Sequence, residues 1–448
     1  MKKINITRLG LIILVSVLFI AQKTDAQSLD ANNNAGSYKI SFQERVRLET
    51  WDNAVSLLRS ANSGSSYMRF KSSVMGQWYA GQTVEIAAKI TNEFRTYFAP
   101  STNSFRMNEI FIDQLYLKWN TKNILEGTLT IGRQNMSYGE GFVILEGTPL
   151  DGSRSTYFNA VKYDWNINKE NNLSFFALYV PITDDLPVIN GNDIEASFLV
   201  DGTWGLAEQK ENAFGVYYTG KFSWGGLQSY YIRKNYLDPK LSSGQIDANV
   251  NVIGGRIVKP LMKELNVTFE GAYQFGKYGS YDRNAYGGYI YFDYKPLWNT
   301  NILPKTFTFG TIILSGDDPN TNNNEGWDPV FSRWPKWSDS YVYTYVKESR
   351  ISNWSNLISI YASFKFVFDE KTGFNFDYHH MLAPEDKMNS FTAGNGTLRG
   401  DLFIAKLIFE ITKNLSGHLL YEHFNPGGYY FNNADSYNFG RVEFTVNL

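Results

Sequence analysis

Apolar and polar residues alternate with a period of two along most of this chain. In the segment LNVTFEGAYQF, which starts at Leu265, one set of alternate positions carries Leu, Val, Phe, Gly, Tyr and Phe, and the other carries Asn, Thr, Glu, Ala and Gln. Successive side chains of a β-strand point to opposite faces, so the pattern predicts a strand with one apolar and one polar face. Convincing helical periodicity is absent after the first 26 residues.

The same alternation predicts eighteen strands. Most of them are about 10–14 residues long, whereas a tilted strand needs about 9–11 residues to cross the hydrocarbon layer and strands of soluble sheets average about 5–6. These lengths favour strands that span a membrane. The predicted strands begin near residues 38, 66, 82, 108, 124, 157, 171, 211, 225, 247, 264, 283, 305, 356, 372, 399, 414 and 436.

Short and long connections alternate between the predicted strands. Glu370–Lys371 and Thr412–Lys413 are examples of the short ones, and Asp317–Ser355 is the longest of the long ones. The exceptions are two connections of similar, modest length around 277–282 and 296–304. Short periplasmic turns and long extracellular loops are typical of outer-membrane barrels.

We therefore predict an all-β fold, a transmembrane antiparallel up-and-down β-barrel of about 18 strands. A closed barrel pairs every backbone group without leaving an edge, as the bilayer core requires. In such a barrel Val267 and Phe269 face the acyl chains, while Asn266 and Glu270 face an aqueous lumen. A soluble sheet with its apolar face inward explains the alternation equally well, but it explains the strand lengths and the rhythm of the connections poorly.

The first residues resemble a secretory signal peptide. Lys2 and Lys3 precede the apolar run Leu9–Ala21, and small residues follow at the positions that a signal peptidase recognises. An uncleaved membrane anchor is the alternative, but the run is short for a spanning helix. We predict a signal peptide over 1–26 and an outer-membrane β-barrel channel domain over 27–448, exported to the outer membrane of a Gram-negative bacterium.

Composition excludes several classes of function. Aromatic residues make up 16% of the chain, which fits aromatic girdles around a barrel with a wet interior. Without the four basic and one acidic residues of the predicted signal peptide, 38 basic and 43 acidic residues remain, a net charge of −5. A general nucleic-acid binder would be basic. The absence of Cys excludes disulfides and thiolate metal sites.

Four motifs occur in the order of a known family. They are LTIGRQNMSYGEGF from Leu129, ILSGDDPNTNNNEGWDPVF from Ile313, FNFDYHHMLAPE from Phe374 and LLYEHFNPGGYY from Leu419. Together they resemble the alginate export family of outer-membrane barrels, with Val330 where Leu is usual. The resemblance implies an eighteen-stranded monomeric barrel that lets an anionic polysaccharide or a similar solute cross the outer membrane.

Charged side chains on the inner face would set the selectivity of such a channel. On the first three predicted strands the inward positions carry seven basic residues, including Lys39, against Glu49, Glu85 and Glu93. We predict an anion-favouring pore; the alternative is that the bases pair with acids and only stiffen the wall. Arg133, in the Gly-Arg-Gln motif, would need a bulge, or a place at the strand's exposed end, to point inward. The predicted pore-lining residues are Arg45, Arg47, Arg69, Lys71, Lys89, Arg95 and Arg133.

We predict neither a metal site nor a cofactor nor an enzyme. The segment DDPNTNNNEGWD has oxygen ligands at suitable spacing but lacks the sixth-position Gly of a calcium loop, so a surface loop is favoured. His379 and His380 point to opposite faces of a strand, and no companion Ser motif accompanies them.

Function is predicted as passive passage of a hydrophilic, anionic solute, an oligo- or polysaccharide or an organic anion, through a barrel surrounded by membrane lipid. The loop Asp317–Ser355 is long enough to fold into the lumen as a gate. The alternative function is a surface glycan-binding or adhesin barrel that acts through its long loops. A soluble secreted β-protein is the third class.

Overall fold

The computed structural model describes residues 36–103, 106–122, 125–146, 158–182, 184–190, 207, 209–239, 246–298, 300–332, 337–349, 354–386 and 390–448. The predicted signal peptide lies outside these residues. Within the described ranges, no helix is long and apolar enough to cross a membrane.

The chain forms a closed antiparallel barrel of eighteen strands, with two further short strands and a helix in the connections. The elements are β1 (Ser37–Trp51), β2 (Ser65–Ala80), β3 (Val84–Ala99), β4 (Arg106–Thr121), β5 (Gly127–Gln134), β6 (Phe158–Asn168), β7 (Asn171–Val180), β8 (Val188–Asn190), β9 (Lys210–Phe222), β10 (Gly225–Leu237), β11 (Ala248–Met262), β12 (Leu265–Tyr278), β13 (Tyr281–Tyr294), β14 (Thr306–Leu314), β15 (Asn323–Asn324), α1 (Tyr341–Ser349), β16 (Leu357–Val367), β17 (Thr372–Leu382), β18 (Leu398–Thr412), β19 (Leu415–Pro426) and β20 (Tyr437–Asn447).

Barrel strands pair with their neighbours in chain order, and β1 closes the barrel against β20, with Arg47 opposite Glu443. Strand β5 is short and covers only the periplasmic half of β4. Beyond the end of β5, β8 takes its place, with Val188 opposite Phe111. Closure of this kind leaves no open sheet edge in lipid.

The strand predictions are confirmed, since none of the eighteen predicted starts differs from the observed start by more than three residues. The alternation of short and long connections reverses once. Strands β12 and β13 are joined by the two-residue turn 279–280 on the side of the long loops, and β13 and β14 by 295–305 on the side of the short turns. Gly279 has a positive φ of 58°, which permits the tight turn.

Strand β12 settles the orientation of the two faces. Phe269 and Tyr273 are 47% and 45% exposed on the outside of the barrel. Thr268, Glu270 and Gln274 are between 0% and 3% exposed on the inside. Apolar side chains therefore face outward and polar side chains inward, as the membrane-barrel hypothesis predicted.

The lumen is partly filled by connections that fold inward. A cluster of buried aromatic and aliphatic side chains lies between the inner face of the barrel and these connections, and it includes Phe142, Trp327, Phe331, Tyr341 and Trp354. The large apolar side chains inside this barrel thus pack the inward connections against its wall. The open part of the lumen is narrower than the barrel itself.

Orientation can be tested with an arginine scan of β12 and β13. We expect Phe269→Arg to lower the free energy of unfolding by about 2–4 kcal/mol, because its guanidinium would enter hydrocarbon. Tyr294→Arg, on the same outer face at the periplasmic end of β13, should cost about 0–1 kcal/mol. Urea titration of protein refolded into lipid vesicles measures both, and equal losses would contradict the assignment of the lipid face.

Candidate pore

Two inward connections meet inside the barrel. The first inward loop is 135–146, after β5, and the second inward loop is 315–356, between β14 and β16. Ile144 and Phe331 form a parallel bridge between them, and the backbone N–H of Phe331 donates to the carbonyl of Val143 at 2.9 Å. The rings of Phe142 and Trp327 stack with centroids 5.1 Å apart. These contacts join the two loops into one structure across the lumen.

Hydrogen bonds fasten the tip of the second inward loop to the barrel wall. Lys234 on β10 donates from Nζ to the carbonyl of Val330 at 2.6 Å. Gln274 on β12 accepts from the N–H of Asp328 at 3.0 Å, and the hydroxyl of Tyr236 donates to Asp328 Oδ2 at 2.6 Å. The groups are buried, so each of these bonds replaces a lost bond to water.

Asp328 is held as a carboxylate by its surroundings. Burial alone would raise its pKa, but the positive charges of Lys234 and Arg283, with hydrogen bonds from Tyr236 and Val330, hold the pKa below its ordinary value. The tip of the loop therefore carries a stable negative charge inside the protein.

A glycine on β13 makes room for the same tip. A Cβ placed on Gly287 would lie 2.6 Å from the indole ring of Trp327, closer than real Cβ contacts allow. The inward position of Gly287 therefore has no side chain because the ring of the second inward loop occupies that space.

Buried polar contacts fasten helix α1, and the residues just before it, to the barrel wall. Arg399 on β18 donates two hydrogen bonds to the Glu348 carboxylate, at 2.8 and 2.7 Å. Glu422 on β19 accepts from the backbone N–H of Asp339 and of Ser340, each at 3.0 Å. Bidentate, buried pairs of this kind are specific in geometry, so α1 is fixed to β18 and β19.

The described residues of the second inward loop pack inside the barrel, which the length of Asp317–Ser355 had allowed. Its described residues are fixed by buried polar contacts at both the tip and α1. Whether the loop gates conduction stays a prediction.

Three neighbouring strands carry most of the predicted pore residues in two rows. Like charges directly opposite one another destabilise a sheet unless other groups compensate. Such rows need either carboxylates or an anion beside them. Read across β1, β2 and β3, one row consists of Arg45, Lys71 and Glu93, and the other consists of Arg47, Arg69 and Arg95.

The row nearer the extracellular side is largely compensated. Arg47 is 3% exposed and hydrogen-bonds Glu443 through Nε. Arg69 donates to Glu93 at 2.5 Å, and Arg95 lies 3.3 Å from the same carboxylate. These arginines pair with carboxylates of the barrel wall. They therefore fit the alternative stated above, in which the bases pair with acids and stiffen the wall.

The other predicted residues form a more accessible group that we call the basic cluster, Arg45, Lys71 and Lys89. All three side chains are partly exposed, and both Arg45 and Lys89 lie close enough to Lys71 to act on it electrostatically. Lys89 pairs with Asp113 at 2.9 Å. Across the described ranges of the chain, Lys71 forms no ion pair. The basic cluster therefore places three cations close together, with the acids Asp113 and Glu93 also acting on Lys71.

The wall opposite the basic cluster carries acids and phenols together with a cation of its own, Arg256. Glu140 on the first inward loop accepts from Arg256 at 2.6 Å and from the hydroxyl of Tyr291 at 2.5 Å. Glu270 on β12 accepts from the hydroxyl of Tyr289 at 2.6 Å. Arg256 is thus paired with Glu140, whereas the basic cluster places three cations side by side.

Arg133 does not join the basic cluster, and its predicted place among the pore-lining residues is corrected. Its side chain is 1% exposed and lies 2.7 Å from both Asp184 and Asp185. Its Nη1 donates to the carbonyl of Ile112 at 2.8 Å. Arg133 joins β4, the end of β5 and the segment before β8, where the wall changes from one strand to another.

Sequence reasoning missed the residues that hold the loops. Lys234, Arg256 and Arg283 were not singled out, although each lies at an inward position of a predicted strand. The available signal was in the motifs. Glu140 belongs to the first motif and Asp328 to the second, and the structure brings these two distant segments together.

The Asn-rich part of the second inward loop bonds to itself. Asp318 Oδ1 accepts from the backbone N–H and from the side chain of Asn320, each at 2.9 Å. In the part of the chain that the structure describes, no group of three or more His, Cys, Asp or Glu residues could hold a metal ion.

Comparison with known proteins supports the fold. No family model and no curated protein sequence matches the chain. Three similar solved structures come from Pseudomonas aeruginosa. OpdQ is 13% identical with a TM-score of 0.57, over 92% of this chain and 98% of that one. The outer membrane protein OpdK is 12% identical with a TM-score of 0.56, over 92% and 99%. OpdK with vanillate is 11% identical with a TM-score of 0.55, over 92% and 98%.

Identities this low show a shared fold alone. The barrel that the sequence resemblance implied is supported, because the matches extend over nearly the whole length of outer-membrane barrels. Membership of the alginate export family stays a prediction.

Disturbing the close packing of Trp327 against Gly287 should increase conductance through the channel. We expect Gly287→Ala to push the indole out of its place at a cost of about 1–3 kcal/mol, as overpacking usually does. Planar-bilayer recordings should then show higher or noisier single-channel conductance. Gly76→Ala is the matched control, since a Cβ there meets nothing within 4 Å. Unchanged recordings for both variants would contradict the packing role of Trp327.

The lowered pKa of Asp328 predicts how the loop responds to acid. Because the pKa of Asp328 is depressed, its carboxylate stabilises the docked tip fully when the pH is above the ordinary Asp pKa of about 3.9. This contribution is lost as the pH falls through the lower, folded-state pKa. Conductance noise from tip motion should therefore stay constant from about pH 7 to 5. Asp328→Asn, which cannot ionise, should be noisy throughout. A wild-type transition near neutral pH would contradict this assignment.

Proposed function

We propose that the protein is an outer-membrane channel for passive passage of small hydrophilic anions. The observation that supports this proposal most is the basic cluster, three cations on an accessible wall of the lumen. Fixed cations in a narrow aqueous pore lower the energy of a passing anion and raise that of a cation.

The strand register places two cations of the basic cluster next to each other. Arg45 and Lys71 lie directly opposite each other on β1 and β2. Two adjacent cations repel, so a transient anion between them is favoured twice, by direct attraction and by relief of that repulsion.

The inward loops favour a small solute. Stacked aromatic rings and buried hydrogen bonds join the two loops across the lumen, which narrows the path. OpdK, similar in fold, has been crystallised with vanillate, a small aromatic carboxylate. The alginate export resemblance points to a carboxylated solute as well. Carboxylate is therefore the chemical group that we expect the basic cluster to recognise.

Described connections that turn into the barrel also favour a channel over a surface adhesin, whose contact residues would project outward. Purified, refolded protein that showed no conductance in planar bilayers would favour the adhesin. Nothing in the proposed path requires a chemical reaction, so we infer a conduit and no enzyme.

Selectivity follows from the basic cluster in this proposal. Native channels should prefer anions, and the double variant Arg45→Gln with Lys71→Gln should lower the anion-to-cation permeability ratio by about twofold or more, because two filter charges are lost. Reversal potentials across a potassium chloride gradient measure the ratio.

Lys210→Gln is the matched control for the loss of charge. Lys210 lies at the extracellular end of β9 and pairs with Asp238 at 2.9 Å, with both side chains exposed. Its replacement should leave the ratio unchanged. Cation preference in the native channel, or a double variant that behaves like the control, would overturn the proposal.

A further inference from the structure

The connection 295–305 between β13 and β14 is longer than the other connections on its side of the barrel, and we call it the periplasmic loop. Its sequence is KPLWNTNILPK. Leu297 and Ile302 are 71% and 82% exposed, and they are the most exposed large apolar side chains in the described part of the chain. Leu303 beside them is exposed as well. Exposed apolar side chains that cluster in this way mark a contact with another molecule or with a membrane.

Hydrogen bonds fold the periplasmic loop back on itself. Trp298 donates from its indole N–H to the carbonyl of Pro304 at 2.9 Å, between the two halves of the loop. Asn301 donates from Nδ2 to the carbonyl of Phe368, just beyond the end of β16, at 2.7 Å. Pro296 and Pro304 further restrict the backbone at either end. The loop therefore presents its exposed apolar side chains from a defined conformation.

The packing of Trp298 shows that the loop lies against the outside of the barrel. Its ring meets that of Phe307 on β14 edge to face, with centroids 5.6 Å apart. Phe307 shares its face of β14 with Phe309, which is 60% exposed. Thr308 between them points the other way and donates to Asp293 inside the barrel. The lipid-facing surface of β14 therefore continues onto the periplasmic loop.

Further aromatic side chains surround the loop on the same outer face. Tyr294 is 46% exposed, and its ring centroid lies 6.4 Å from that of Phe307. The ring of Phe307 in turn lies 5.5 Å from that of Phe364 on β16. Aromatic residues collect where the hydrocarbon layer of a membrane meets the headgroups. Because the loop follows directly from Tyr294, its apolar side chains lie at the periplasmic boundary of the membrane.

Basic residues frame the apolar part of the loop. Lys295 is its first residue and Lys305 its last, and no Asp or Glu lies between them. The neighbouring turns 263–264 and 368–371 carry charges of both signs. The loop itself thus contributes only positive charge, and lysines at a membrane surface attract anionic headgroups.

We propose that the periplasmic loop inserts into the periplasmic leaflet of the membrane and binds anionic phospholipid there. Leu297, Ile302 and Leu303 enter the boundary beside the acyl chains, while Lys295 and Lys305 lie at the level of the phosphates. A partner protein that covered the lumen would need contacts directed toward the barrel axis, whereas this loop packs outward. Lipid is therefore the occupant that the surroundings of the loop favour.

A fluorescent label on a single cysteine tests the insertion, because the chain contains no Cys. Ile302→Cys in the full chain is labelled with an environment-sensitive fluorophore and refolded into vesicles of phosphatidylcholine mixed with phosphatidylglycerol. We expect blue-shifted emission, strong quenching by nitroxide-labelled lipid and little quenching by aqueous iodide. Lys169→Cys is the matched control, since Lys169 lies in the two-residue turn 169–170 on the same side of the barrel. Its label should behave as in water.

Charge replacement tests the choice of lipid. With labelled Ile302→Cys, nitroxide-labelled phosphatidylglycerol should quench at least about twofold more than nitroxide-labelled phosphatidylcholine, because two lysines attract the anionic headgroup. Adding Lys295→Gln with Lys305→Gln should abolish this difference. The matched control is Lys169→Gln with Lys221→Gln, which removes two exposed lysines near other periplasmic turns and should leave the difference unchanged. Heat-modified migration on gels shows that each variant barrel is folded.

Three results would overturn the proposal. A label at position 302 that is as accessible to iodide as the control would place the loop in water. Equal quenching by the two lipids, or a preference that survives the loss of Lys295 and Lys305, would exclude recognition of anionic lipid. A photocrosslinker on the same cysteine that gives a protein adduct in isolated outer membranes would identify a periplasmic protein as the occupant instead. Anion selectivity is measured separately, so failure here leaves the proposed function untouched.

Discussion

The requirement that every backbone N–H and C=O be paired away from water underlies the whole structure. It is met by closing the sheet, with β1 paired to β20 over nine residue pairs. Once the sheet is closed, alternation assigns each side chain to lipid or to lumen. Because the outside is hydrocarbon, most charges of the strands must be accommodated inside, and the chemistry of the protein is confined to the lumen.

Charges enclosed in this way need partners, and the inward loops provide many of them. Lys234, fully buried on β10, donates to the carbonyl of Val330 and lies 3.3 Å from Glu211. Arg399, equally buried, is neutralised by Glu348 of α1. Removing one member of such a pair leaves an uncompensated buried charge. The loops and the wall therefore depend on each other, and the loops form part of the folded interior.

Local patterns predicted the strands well because strand identity and face depend on period-two alternation and on turn residues close in sequence. Partners of the charged residues depend instead on contacts between distant segments. Arg133 and Asp184 are 51 residues apart, and nothing in the alternation of β5 indicates that β8 completes the wall beside it. The reversed loop rhythm at 279–280 likewise depends on one glycine in a left-handed conformation, a detail that loop length alone does not reveal.

Strands β1 and β2 carry the cations Arg45 and Lys71 on one face and a hydrogen bond between Ser72 and Glu44 on the other. Arg45 and Lys71 repel across the inner face, and this repulsion acts to separate β1 from β2. On the outer face, the bond from Ser72 to Glu44 joins the same two strands at the next residue along each. This hydrogen bond holds β1 and β2 together beside the repulsion on the inner face. Like charges can therefore stay side by side on the inner face, as the proposed anion path requires, without loss of the local sheet.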